Sequence, residues 1–134
     1  MNLKTDSKGM IRYCIAYRRG ERIGELTEMA QIHDTLRQPD AFVWMALHEP
    51  DEPLMQLVQH EFDLHELAVE DARHAHQRPK LDHYGNSLFI VVKTAMLWEG
   101  QVQLGETHMF VGPRFFLTVR HGPSVTYASV RERL

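Results

Sequence analysis

The chain has 134 residues, a formal net charge of −3 and a composition that is 43% hydrophobic and 25% charged, which suits one globular domain with a real core and excludes a disordered chain. Acidic and basic residues are interspersed, with no basic stripe of the kind that holds phosphate backbones, so nucleic acid is not expected as a partner. The single cysteine, Cys14, leaves no internal disulfide and no CxxC motif, and fits a buried apolar role in a reducing compartment.

Residues 1–9, "MNLKTDSKG", contain no apolar stretch of secretory type and read as a flexible lead, with the ordered part opening at Met10. In "MIRYCIAYRRGERIGEL" the apolar residues Ile11, Tyr13, Ile15 and Tyr17 alternate with others before a turn at Arg19-Gly20, the pattern of a β-hairpin. "TEMAQIHDTLRQ" predicts a short amphipathic helix with Thr27 as N-cap, Met29, Ile32 and Leu36 on one face, and Pro39 as its stop. The continuous apolar run "AFVWMAL" has strand length and the pattern of a strand buried on both faces. In "DEPLMQLVQHEF" Asp51 is placed to cap a helix, Pro53 falls in its first turn, and Leu54, Leu57 and Val58 form its stripe. A second short helix follows from near Leu64.

After Pro79 the period changes, and three β-rich runs separated by Glu99-Gly100 and Gly112-Pro113 predict an antiparallel meander. Ser87 to Trp98 is apolar on both alternating faces and reads as a central strand. The final "SVTYASVRERL" starts on the helix-start residue Ser124 and stops in mid-pattern at Arg133-Leu134, so a longer helix is expected there. The longest apolar run, "SLFIVVKTAMLW", is broken by Lys93 and falls well short of the roughly 20 residues that span a bilayer. Together these elements predict an α/β fold, a mixed and largely antiparallel sheet with helices on both faces. The expected organisation is a lead at 1–9, a domain at 10–123 and the start of a helical segment at 124–134.

The chemistry concentrates in "HELAVEDARHAHQRPKLDHYG", residues 65–85. Counted helically from Leu64, the positions Leu67, Ala68, Asp71, Ala72 and Ala75 share a face, so Asp71 projects among small apolar residues with Glu70 beside it. A carboxylate near a helix C-terminus is unfavourable, because the local carbonyl ends are already negative, and it requires compensation. Arg73, Arg78 or His74 is one source. A hard divalent cation is the other, since Mg²⁺ keeps several waters and is often held by one or two carboxylates. His74-x-His76, with His65 and His83 nearby, suggests a competing Zn²⁺ site, but zinc needs three or four converging ligands and neither HExxH nor CxxC spacing occurs. His33, His48, His60, His108 and His121 follow no pattern and receive no role. With no GxSxG elbow, P-loop or GxGxxG, an enzyme is not expected.

The stretches "FVWMALHEPDEPLMQLVQHEFDLHELAVEDARHAHQRPKLDHYGNSLFIVVKT" and "GETHMFVGPRFFLTVRHG" closely resemble the cytosolic N-terminal domain of CorA-type magnesium and cobalt transporters. The specific combination is H-x-L-x-x-E-D followed by H-Q-R-P-K; residues before 41 match only in general layout. The resemblance implies an α/β/α domain in a homopentamer, on the cytoplasmic face of the cell (inner) membrane. Attachment and pore are expected in two C-terminal membrane helices with a Gly-Met-Asn signature, which are absent from this sequence, and 124–134 look like the start of the segment leading to the stalk. The resemblance further implies that Asp71, with Glu70 beside it, contributes to an inter-subunit Mg²⁺ site opposite acids of the neighbour's stalk, favouring the closed state. Mg²⁺ is then both regulator and transported ion, with Co²⁺ as a second ion. Gln77, Arg78 and Lys80 are read as structural ties, with Pro79 fixing entry into the next strand. Two alternatives stay open, a zinc-dependent enzyme built on His74 and His76, and a domain used only for assembly with Asp71 in an ordinary salt bridge.

Overall fold

A computed structural model describes residues 1–123 and 127–134. Its strands are β1 (Ile11–Arg18), β2 (Glu21–Glu25), β3 (Ala41–His48), β4 (Lys80–Tyr84), β5 (Ser87–Trp98), β6 (Gln101–Val111) and β7 (Phe115–His121). They form one seven-stranded sheet in the order β2-β1-β3-β7-β6-β5-β4. Every neighbouring pair is antiparallel except β3 and β7, which run parallel. The helices are α1 (Met29–Leu36), α2 (Glu52–Phe62), α3 (Glu66–Ala72) and the single turn α4 (Ala128–Arg131).

Strand β3 displays the two-sided burial that its apolar run implies. Val43, Met45 and Leu47 enter the main core with Ile32 of α1, Leu54, Met55 and Val58 of α2, and Ala68 and Val69 of α3. Trp44 turns the other way, packing with Ile15, Tyr17, Phe42, Phe116 and Tyr127, and Arg131 of α4 lies 3.8 Å from the Tyr13 ring centroid on this side. Helices therefore lie on both faces, three on one and one turn on the other, as the α/β pattern predicts.

Local signals place most element ends. Asp51 caps α2, accepting from the Leu54 amide at 3.0 Å. Helix α1 begins later than a Thr27 cap predicts, because Gln31 reaches back and accepts from the amides of Thr27 at 2.8 Å and Glu28 at 2.9 Å. Helix α3 starts at Glu66, with His65 Nδ1 accepting from the Leu67 amide at 3.1 Å. The expected helix start at Ser124 lies outside the described residues.

Three expectations change. The region after Pro79 holds four strands, because Gly85, at φ 62°, turns the chain between β4 and β5. Strand β5 is second from the edge, not central. Its apolar character on both faces has two origins: Phe89 and Val91 enter the core, while beyond the reach of β4 it continues with β6 as a ribbon that exposes Leu97, Trp98, Val102 and Leu104. Residues 1–9 are packed and not a loose lead. Leu3 is 1% exposed in the core, its amide donates to the Thr27 carbonyl at 2.8 Å, and buried Ser7 accepts from the Ile11 amide at 3.3 Å. A single apolar side chain anchors this segment, too little to register as a hydrophobic pattern. No helix among the described residues is long and apolar enough to cross a membrane.

The packing of Leu3 gives a direct test. Leu3→Ala is expected to lower unfolding free energy by about 2–5 kcal/mol in urea titrations, whereas a change within about 0.5 kcal/mol is what an unpacked surface position gives.

Candidate functional site

Helix α3 buries Ala68, Val69 and Ala72. This rotates the face expected from spacing: Leu67 is 57% exposed, Ala75 lies beyond the helix end, and Asp71 sits at the rim with its side chain 33% exposed. The compensating cation is Lys80, not Arg73, Arg78 or His74. Lys80 Nζ donates to Asp71 Oδ2 at 2.6 Å, lies 3.1 Å from Asp82 Oδ2, and stands 5.6 Å from the Phe89 ring centroid. Lys80 and Asp82 are two apart on β4, so they project to the same side, opposite Val91 and Phe89 of β5 in register. The hydrogen bond to Asp71 is the first cause holding the Lys80 ammonium above its usual range, with burial opposing it.

The neighbours of Asp71 are otherwise engaged. Arg73 pairs with Glu52 at 3.5 Å. Glu70 is exposed and lines a shallow cleft with Gln56, Gln59, Arg73 and His74. His65 caps α3 and stacks on Tyr84 at 4.3 Å, while His74 and His76 are exposed. Among the described residues no group of three or more His, Cys, Asp and Glu is arranged to hold a metal ion. The imagined set of His74, His76 and an acid is not brought together, and no further acid, histidine or cysteine of the described residues joins Asp71 and Glu70 in such a group. The Cys14 thiol is buried, and burial pushes it up to about 12, so it offers no nucleophile.

Two histidines given no role from sequence occupy the ground beneath α3. Glu106 is 3% exposed and accepts from Lys93, from His108 Nε2 and from the Gln77 amide, the last at 3.3 Å. Gln77 also donates its side-chain amide to the His74 carbonyl at 3.4 Å, so this part of "HQRPK" does tie the helix end to the sheet. His108 is fully buried, with its ring centroid 4.9 Å from that of His121. His121 Nε2 donates to the Ala72 carbonyl at 2.7 Å, and its Nδ1 lies 3.4 Å from Glu49. Glu49 accepts from the Gly122 amide at 2.6 Å, the first cause of its lowered carboxyl pKa. Non-local register hides this cluster from the sequence: Glu106 faces His121 across the β6–β7 ladder. The available signal was Glu106-x-His108, polar residues on the same strand face as core Phe110.

Charge assignments follow from the contacts. Burial raises the Glu106 pKa, but Lys93, His108 and the Gln77 amide outweigh it and hold the carboxyl below its usual value. Burial lowers His108 below the usual imidazole value, despite Glu106. His108 is therefore a neutral donor through Nε2, and its Nδ1 is buried without a hydrogen-bond partner. As pH falls below about 6.5, an unfolded histidine takes up the proton that folded His108 resists, so stability declines from there downward. Glu106 adds a further loss below about 4.3, completed as pH drops through its depressed folded value. The expected result is a urea midpoint that falls between pH 7 and 5, with His108→Gln flattening that leg; an unaltered leg would assign the loss to other groups.

A family model described as CorA-like Mg²⁺ transporter protein matches residues 39–134. The putative metal ion transporter YfjQ of Bacillus subtilis (strain 168) is 34% identical over 102 residues, which are 75% of this chain and 31% of that protein. The chain thus spans under a third of this relative. Among solved structures, the full-length CmaX protein aligns with a TM-score of 0.73 at 19% identity, over 92% of this chain and 38% of that one. The complete CorA magnesium transporter from Methanocaldococcus jannaschii gives 0.62 at 12% identity, over 90% and 36%. The ZntB cytoplasmic domain from Vibrio parahaemolyticus RIMD 2210633 gives 0.55 at 10%, over 72% and 46%. At these identities the structural matches carry the fold alone, whereas the family match covers most of the sequence. With that match and its 34% identity to a putative metal ion transporter, the chain belongs to the CorA-like Mg²⁺ transporter family.

Proposed function

We propose that this chain is the cytosolic cation-sensing domain of a longer, homopentameric divalent-ion transporter of the inner membrane, with Asp71 and Glu70 forming one half of a Mg²⁺ site shared between subunits. The supporting observation is that two adjacent acids stand at the C-terminal end of α3 with side chains at least partly in solvent. Asp71 is partly exposed at the rim, Glu70 is exposed beside it, and no third acid or histidine of the described chain joins them to hold a metal. Mg²⁺ suits such a half-site because it retains water and needs few carboxylates. Co²⁺ is the second ion of the same reading. The membrane helices, the pore and the choice among transported ions belong to the longer protein.

Regulation then follows from linkage. A cation bound only in the closed arrangement stabilises it by RT ln(1 + [L]/Kd), about 0.4 kcal/mol per site at half saturation and about 1.4 at tenfold excess. Five independent sites give roughly 2 and 7 kcal/mol, enough to swing a two-state gate. When the cation leaves, facing carboxylates repel and closure weakens.

In the transporter carrying this domain, Asp71→Lys is expected to abolish or strongly shift closure by internal Mg²⁺, measured as Mg²⁺-dependent current or liposome flux. Unchanged Mg²⁺ dependence would overturn the reading. The Asp71–Lys80 pair favours one other role, a purely structural acid in an assembly domain. In that case Asp71→Asn weakens oligomerisation equally with and without Mg²⁺ in sedimentation experiments.

A further inference from the structure

We infer that Lys80 is a tethered competitor of the divalent cation at Asp71, so that metal binding there proceeds by displacing an ammonium group. The inference rests on the proposed role of Asp71 and adds the residue that sets the threshold of that site. Lys80 Nζ contacts Asp71 Oδ2 at 2.6 Å, the carboxylate a cation would require. Two charges cannot share that oxygen at full strength, because ammonium and metal repel at such range.

The surroundings make displacement feasible. The Lys80 and Asp71 side chains are 32% and 33% exposed, so their pairing is held in a solvent-screened setting and not locked in the core. Asp82 Oδ2 lies 3.1 Å from the same nitrogen, and the Phe89 ring face is 5.6 Å away. An ammonium that leaves Asp71 keeps an acid and an aromatic ring, and its flexible four-carbon stem permits the swing. Without the metal, Lys80 neutralises the helix end and limits acid repulsion. With it, the charge moves towards Asp82. Lys80 therefore raises the cation concentration needed for occupancy.

The test uses Mn²⁺ as probe, with free Mn²⁺ counted by electron paramagnetic resonance at fixed ionic strength in titrations of the detergent-solubilised transporter that carries this domain, where the neighbouring subunit completes the site. Lys80→Gln leaves Asp71 and Asp82 without their shared cation and is expected to bind Mn²⁺ about tenfold tighter than the unaltered chain. Adding Asp71→Asn should remove the gain, and Lys80→Arg, which keeps the charge and checks for loss of fold, should bind no tighter than the unaltered chain. Equal affinity with lysine or glutamine overturns the competition, as does a gain that survives Asp71→Asn. None of these outcomes decides the proposed function, which stands or falls on Asp71→Lys in the transporter.

Discussion

A carboxylate removed from water must be supplied with donors, and the need of Glu106 organises the ground on which the acidic helix stands. At 3% exposure it is served from three places, Lys93 on β5, His108 on β6 and the Gln77 amide in the loop after α3. Removing one partner of such a buried group costs about 3–5 kcal/mol, so the three donors behave as a fixed unit. Its register partner His121 holds the Ala72 carbonyl at the end of α3. One cluster thereby fixes both ends of residues 73–79: where α3 stops, through His121, and where the chain meets the sheet, through Gln77. The placement of Lys80 beneath Asp71 follows from these two attachments.

The sheet gives this cluster its rigidity. Glu106 and His121 lie on adjacent strands β6 and β7, and β7 pairs parallel with β3, the strand buried on both faces. Parallel pairing between strands so distant in sequence requires the intervening helices and hairpins to form one crossover unit. Helix α3 belongs to that unit, and its buried face of Ala68, Val69 and Ala72 is small, which brings the backbone close to the sheet. The closeness lets a strand histidine reach a helix carbonyl at 2.7 Å.

What was legible in the sequence was local. The hairpin around Arg19-Gly20, the Asp51 cap and the two-sided run of β3 each depend on residues within a few positions of one another, and each is present in the fold. The division of the last sheet region at Gly85, the place of β5 near the edge and the packing of Leu3 depend on partners far along the chain. At the site, helical counting found Asp71 in need of a cation but named the wrong side chains, because Lys80 arrives from a strand beyond Pro79. The reading of Asp71 and Glu70 as metal ligands came from family resemblance, since spacing alone favoured the salt bridge. His108 and His121 had no sequence pattern because their meeting is made by β-register, not by sequence proximity.

Two acids near the same helix are thus held in opposite ways. Glu106 is buried, triply hydrogen-bonded and tied to strand register, so any exchange of its partners carries the cost of exposing a charge in the core. Asp71 is partly open and paired with one flexible ammonium, an arrangement worth at most about 1 kcal/mol in solvent-screened settings. Exchanging the partner of the second acid therefore costs far less than exchanging any partner of the first. The difference in burial separates the acid whose contacts hold the loop after α3 to the sheet from the acid whose single ion pair stands partly in solvent at the rim.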